Sequence, residues 1–416
     1  MTDAGEGRAW VAGFRSGVIS PYEQIKLAES RGFRDETVRQ ALVLAGGGDQ
    51  VRVRLTNRYG RAPLTIGAVR VALRPTGDGF VPETGREARS GDAAGGEARS
   101  GDAAGGGVRS GDAIVPGTER EVRFGGAGEV TIPAGGEVVG DPVELVVRAG
   151  EHLVLSLYVP GGTEPATFSH QPMETAYVAP GDQVSAPALP GAEQVAARFY
   201  VSGVDVRAPR GTSIGVAFGD SWFEGVGTTM GADRRSVDVL NARLPRGWVV
   251  NQGIAGNRLL VDEIGEHGLA RLERDALSVP GATHVLVHFG INDLGLPGMA
   301  GAPPATAEDL IAGFTELGGR VRAAGMRVLA ATIGPFAGAI YPGVSTPEGV
   351  AARRRVNEWI RTGAAFDGVF DVAKAVEKPD EPDFIRPEFD AGDGMHLNDV
   401  GAQAMGAAVN LADLLL

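Results

Sequence analysis

Ser221 closes the tripeptide Gly219-Asp220-Ser221, which ends the apolar run Ser213-Ile214-Gly215-Val216-Ala217-Phe218 and precedes a helix-like segment. Far downstream, Asp393-Gly394-Met395-His396 sets an aspartate and a histidine three residues apart. A hydroxyl, an imidazole and a carboxylate are the parts of an activated oxygen nucleophile. The imidazole takes the hydroxyl proton, and the carboxylate holds its tautomer and stabilises the imidazolium. The chemistry such a set would perform is cleavage or transfer of an acyl group. Each part also has a plain structural use. Serine after a strand is a favoured helix N-cap, and Asp-x-x-His pairs also serve as caps and surface contacts.

Two further loops supply donors. Asn251-Gln252-Gly253-Ile254-Ala255-Gly256-Asn257 follows a strand-like run, and glycine there allows close backbone approach and frees an N–H to face a ligand. Phe289-Gly290-Ile291-Asn292-Asp293 ends the next run and offers the Asn292 amide. Together with the Ser221 N–H, Gly256 and Asn292 would form a three-point oxyanion hole.

The elements needed to position these loops are legible in outline. From about Ala9 to Phe199 short period-two runs recur, such as Val51-Arg52-Val53-Arg54-Leu55 and Leu153-Val154-Leu155-Ser156-Leu157. Turn residues separate them, as in Gly46-Gly47-Gly48 and Pro160-Gly161-Gly162. Many short strands with Gly, Pro and Asn turns predict a β-sandwich or jelly roll over residues 1–205. A decapeptide, Glu87-Ala88-Arg89-Ser90-Gly91-Asp92-Ala93-Ala94-Gly95-Gly96, recurs unchanged at 97–106, with a degraded third copy after it. The unit is too poor in apolar area to bury anything, so a flexible insertion is expected over about 84–116. A calcium-binding β-roll would repeat in nines with an apolar anchor.

Past about residue 211 the pattern changes. Ile214–Phe218, Trp248–Asn251, His284–Phe289, Arg327–Thr332 and Val369–Asp371 read as strands. Ser236–Leu244, Leu259–Leu277, Ala307–Ala324 and Pro347–Ala364 have helical spacing. This alternation predicts an α/β domain over 211–416, its parallel sheet covered on both faces. Ser221 would then sit just past the carboxyl edge of the first strand, where such sheets bind ligands.

Composition narrows the partners. The net charge of −13 disfavours nucleic acid and anionic membrane surfaces. The absence of cysteine excludes disulfides, thiolate catalysis and cysteine-held metal. The polar N-terminus, Met1 to Arg8, has no basic-then-apolar signal pattern, and no apolar stretch approaches a membrane span, so a cytoplasmic location is expected. Oligomeric state is not legible.

The four loops in this order resemble the SGNH (GDSL-type) hydrolase superfamily. Gly219-Asp220-Ser221 is similar to its first block, the Gly256 loop to its second, Gly290-Ile291-Asn292-Asp293 to its third and Asp393–His396 to its fifth. The resemblance implies a flavodoxin-like hydrolase domain with Ser221 as nucleophile, His396 as base and Asp393 as its orienter. It implies Ser221, Gly256 and Asn292 as oxyanion donors and no metal or organic cofactor. Asp390–Asp399, Asn251–Leu260 and the strand-rich N-terminal half resemble bacterial GDSL-type esterases with an extra β-sandwich, among them arylesterases and carbohydrate deacetylases. The expected reaction is hydrolysis of a short acyl ester, acetyl foremost, of a sugar, aryl alcohol or small metabolite. Acyl transfer on the same triad, and a carbohydrate-binding sandwich with a subsidiary hydrolase domain, are the alternatives. Two positions depart from the pattern: Leu397 stands where a proline is common, and Trp222-Phe223-Glu224 where a smaller or polar start is common. Trp222 is a candidate substrate contact. The remaining histidines show no metal-ligand spacing, and the loop His170-Gln171-Pro172 is a candidate to reach the site from the sandwich.

Overall fold

The computed structural model describes residues 7–75, 111–363 and 365–414. The decapeptide copies at 87–106 therefore lie outside the described residues.

The described residues before Ile214 fold as mostly antiparallel sheets. In one, Gly48–Thr56 lies between Val201–Pro209 and two short strands, Glu137–Val139 and Val143–Val147, with Arg8–Arg15 beyond Val201–Pro209. In the other, Glu36–Val43 and Ala68–Leu73 flank His152–Val159. Alternation sets the faces: Val51, Val53 and Leu55 are wholly buried, while Arg52 and Arg54 between them reach Asp205 on the opposite side. Val38, Leu42, Leu155 and Leu157 of the second sheet join the same core. Within 111–116, expected to belong to the flexible insertion, Asp112 and Ile114 are buried. Asp112 is 1 % exposed, its carbonyl accepts from Arg39 and its carboxylate from the Leu189 N–H. A buried arginine on a neighbouring strand, which the repeat pattern cannot reveal, fastens this end.

From Ile214 onward the chain is an α/β unit. Its five parallel strands lie in the order Trp248–Gly253, Ile214–Gly219, Ala282–His288, Arg327–Ala331, Gly368–Phe370. Counted along the chain this is 2-1-3-4-5, the flavodoxin-like order, whose strand order reverses between the first and third strands. Ile214–Gly219 is buried at every position, as a central parallel strand covered on both faces must be. Helices Ser236–Arg243, Ala307–Ala323 and Pro347–Thr362 fall where the spacing predicts. Thr306 and Thr346 cap the last two by accepting from the N–H three residues on.

Helix is not continuous over 259–277. Only Gly268–Leu272, continued by a π turn over Glu273–Leu277, is helical. The buried Asp293 carboxylate takes the Leu259 and Leu260 N–H groups, and the Asn257 amide takes the carbonyls of Ile264 and Glu266. These bonds hold 257–267 as a loop against its helical spacing. Asn292 itself lies in the first turn of a helix, Ile291–Met299, entered through Gly290 at φ 113.

The sandwich meets the edge strand Trp248–Gly253 through its strand Arg8–Arg15. Ala12 N–H donates to the Pro280 carbonyl, and the Trp248 indole donates to the Ala12 carbonyl at 2.6 Å. Among the described residues, no helix is long and apolar enough to cross a membrane.

Candidate active site

Ser221 begins a one-turn helix, Ser221–Glu224, at the carboxyl end of the first strand. Asp220 caps the turn by accepting from the Trp222 N–H, and its other neighbour is His288, whose Nδ1 lies 2.9 Å from the same carboxylate oxygen. Gly253 makes the close approach possible: a Cβ there would fall 2.3 Å from the Glu224 nitrogen.

The structure brings Ser221, His396 and Asp393 together across 175 residues. His396 Nε2 stands 3.0 Å from Ser221 Oγ, and His396 Nδ1 2.6 Å from Asp393 Oδ2. Ser221 is 2 % exposed. Burial works to raise the Asp393 pKa. The hydrogen bond from His396, its charge and the His396 and Met395 N–H groups outweigh that and hold the carboxylate well below its usual range. Asp393 is therefore ionised whenever His396 needs a counter-charge. The hairpin-like loop carrying the pair is pinned by Asp390, which takes the Gly392 and Gly394 N–H groups, and by the Asn398 amide on the Glu388 and Asp390 carbonyls. Its two cross-loop backbone bonds run through the His396 carbonyl and the Asn398 N–H. Leu397, between them, makes neither bond.

The three expected donors converge on the same edge. Asn292, 2 % exposed, spends one amide hydrogen on the Asn257 carbonyl at 2.9 Å, leaving the other. Gly256 sits at φ +75, where a Cβ would strike Ile264 at 2.5 Å. Among the described residues, neither the Ser221 nor the Gly256 N–H has a protein acceptor. Asp293 is turned away from this edge, holding the Leu259 and Leu260 N–H groups; burial raises it to about 6.

Trp222, a candidate substrate contact, lies among the loops of the site. It is 4 % exposed, stacks on His288 at 5.0 Å and donates its indole N–H to the Met395 carbonyl, beside His396. It fastens the nucleophile turn to the histidine loop. His284 is a strand histidine that burial lowers to about 4.

Three partners of the site carry no signal in the sequence. Tyr341 donates its hydroxyl to Asp393 Oδ2 at 3.0 Å. Glu224, three residues after the nucleophile, has both carboxylate oxygens engaged, one by the Ala255 N–H and one by Ser169 of the sandwich. Leu27, also from the sandwich, overlies Gly256, 3.3 Å from where a Cβ would be. A cavity of about 580 Å³ lies in the seam between the two halves, lined by Arg15, Arg198, Glu224, Asp233 and Arg235 among others. Ser221, Asp393 and His396 do not line it, so the chemistry is not there. Among the described residues, no group of three His, Asp or Glu is placed to hold a metal ion.

A serine, a histidine and an ionised aspartate at the carboxyl edge of a flavodoxin-like sheet define a serine ester hydrolase of the GDSL type. Residues 217–404 match the GDSL-like lipase/acylhydrolase family. No curated protein shows significant similarity to the chain. Among solved structures, the chain is similar to the aryl esterase of M. smegmatis at 19 % identity, with 49 % of this chain and 98 % of that one covered and a TM-score of 0.40. It is also similar to Est24, a carbohydrate acetylesterase from Sinorhizobium meliloti, at 17 % identity, with 49 % and 98 % covered and a TM-score of 0.39.

Proposed function

We propose that Ser221, His396 and Asp393 are the catalytic triad of this esterase and that water is the acyl acceptor. The observation that carries the reading is the unbroken relay of short contacts from Ser221 Oγ through His396 to Asp393. Ser221 Oγ attacks the acyl carbonyl while its proton passes to His396 Nε2, forming the C–O bond of a tetrahedral intermediate. The Ser221 and Gly256 N–H groups and the Asn292 amide hold its oxyanion. Collapse breaks the bond to the alcohol, which leaves with the proton from His396. Water then attacks the acyl-serine, giving its proton to His396, and collapse releases the acid and returns the proton to Ser221.

The substrate proposed is a short acyl ester, acetyl foremost, of a sugar, aryl alcohol or small metabolite. This rests on the likeness of Asn251–Leu260 and Asp390–Asp399 to short-acyl esterases. The chain is proposed to divide into a sandwich, expected over 1–205 but with its last strand running on to Pro209, and a hydrolase unit over 211–416, the turn after Pro209 separating them.

Hydrolysis of p-nitrophenyl acetate by the wild type and Ser221→Ala tests the reading. The expected result is a loss of at least about 10³-fold in kcat, with the melting temperature little changed. Wild-type turnover by the variant would overturn it. Supplying alcohol or amine acceptors to the active wild type and finding acylated acceptor in place of free acid would replace hydrolysis by transfer.

A further inference from the structure

The loop that carries Gly256 is held on one side by the nucleophile turn and along its length by the N-terminal sheets. Ile254 packs on Gly17, where a Cβ would lie 2.5 Å from its Cγ1. Leu27 overlies Gly256, and Ile19 lies beside Gly265, 2.9 Å from where its Cβ would be. Arg58 and Tyr59 of the sandwich bond the Glu266 carboxylate at 3.1 and 3.0 Å. The tightest of these ties is at Ala255. Its N–H donates to Glu224 Oε2 at 2.5 Å, while Ser169 donates to Glu224 Oε1 at 2.9 Å. Glu224 is 5 % exposed, Ser169 2 % and the adjoining His170 1 %. Burial lowers the pKa of the His170 ring, which adjoins Glu224.

A carboxylate is costly to bury unless its oxygens are bonded. Here the two bonds fix one peptide next to the proposed oxyanion donor. The nucleophile turn supplies Glu224, the second loop supplies Ala255 and the sandwich supplies Ser169. Three segments distant in sequence are thereby set in one geometry, and the peptide they fix leads directly into Gly256. We propose that Glu224 is a positioning residue that aims the Gly256 N–H at the oxyanion, and that Ser169 makes the sandwich a working part of that aim. The proposal rests on the reading of Gly256 as an oxyanion donor.

A donor displaced by about an ångström loses most of its value in the transition state, on the order of 10²-fold. It loses little in the ground state, where the carbonyl carries less charge. The full-length enzyme is therefore assayed with p-nitrophenyl acetate as Glu224→Ala, Glu224→Gln and Ser169→Ala, each beside its melting temperature. Inhibition by phenylboronic acid, which mimics the tetrahedral adduct on Ser221, is measured on the same samples. Glu224→Ala is expected to lower kcat about 10- to 100-fold, leave KM within about 3-fold and weaken the boronate in parallel with kcat. Glu224→Gln keeps an oxygen for the Ala255 N–H and an amide to meet Ser169, so it is expected to stay within about 3-fold of wild type. Ser169→Ala, which removes one hydroxyl, is expected to fall about 3- to 10-fold with the same split.

Three results would overturn the proposal. One is a Glu224→Ala enzyme that melts earlier yet keeps its kcat and boronate affinity. The second is a loss confined to KM. The third, decisive where Glu224→Ala does not fold, is a Ser169→Ala enzyme with unchanged kcat. Failure of the underlying reading is distinct: a fluorophosphonate probe would then not label Ser221, and Ser221→Ala would keep its turnover.

Discussion

At the scale of single residues, the site combines one strongly ionised carboxylate with donors held at fixed positions. Asn292 is buried and tied to the Asn257 carbonyl, so its free amide hydrogen has little freedom to be elsewhere. Asn292→Ala is expected to lower kcat about 10²- to 10³-fold with KM little moved, as read by steady-state kinetics on p-nitrophenyl acetate. Tyr341 is a milder case. It donates to the same Asp393 oxygen that accepts the hydrogen bond from His396 Nδ1–H, but it is 38 % exposed. One such bond is worth about 1 kcal/mol net, so Tyr341→Phe is expected to lower kcat/KM about 2- to 10-fold at unchanged melting temperature. The residue types Ser221, Asn292, Asp393 and His396 were legible as a chemical set because each stands at the end of an apolar run or in a short motif. Glu224, Ser169 and Tyr341 were not, because a carboxylate or hydroxyl gains its meaning from partners that no local spacing reveals.

At the scale of elements, the turn Ser221–Glu224 is four residues long, too short to be stable by its own hydrogen bonds. Tertiary contacts hold it: the Asp220 cap, Trp222 on His288, and the Glu224 bonds. Trp222→Ala removes a buried indole that also bonds the Met395 carbonyl. It is expected to cost about 3–5 kcal/mol, measured by urea denaturation, and to slow turnover by loosening the histidine loop. The five strands of the sheet were legible because each is a run of buried apolar residues bounded by glycine or polar residues. The segment 259–267 was not, because its apolar spacing is helical while Asp293 and Asn257 take the backbone groups a helix would need.

At the scale of the molecule, the two halves share buried charge. Glu174 accepts from Arg198 of the sandwich at 2.7 Å and from Arg235 of the α/β half at 3.1 Å, all three side chains nearly buried. Removing the anion leaves two buried cations without it, so Glu174→Ala is expected to cost about 3–5 kcal/mol, seen as a lower midpoint in denaturant. Glu266 makes a second tie. Burial opposes its charge, but Arg274 and Arg58 hold it down to about 2 from an ordinary 4.5. A depressed folded pKa means that the unfolded chain binds the proton first. The stabilisation from Glu266 is therefore complete above about pH 4.5 and is lost as pH falls toward about 2. The gap in melting temperature between wild type and Glu266→Gln is expected to be constant above pH 5 and to close across that window in thermal melts.

By itself the sequence determined which residue types are available for chemistry and, for Ser221 and Asn292, which strand ends present them. Both follow from local pattern, since an apolar run makes a strand and the residues after it lie at the sheet edge. Only the tertiary structure decided that Trp222 fastens two loops, that Arg39 holds Asp112, and that the sandwich meets the edge strand and lies over the Gly256 loop. Those outcomes depend on contacts between residues far apart in the chain, such as Trp248 and Ala12, 236 positions apart. Such contacts leave no period in the chain, and their energies arise only when the paired groups leave water together.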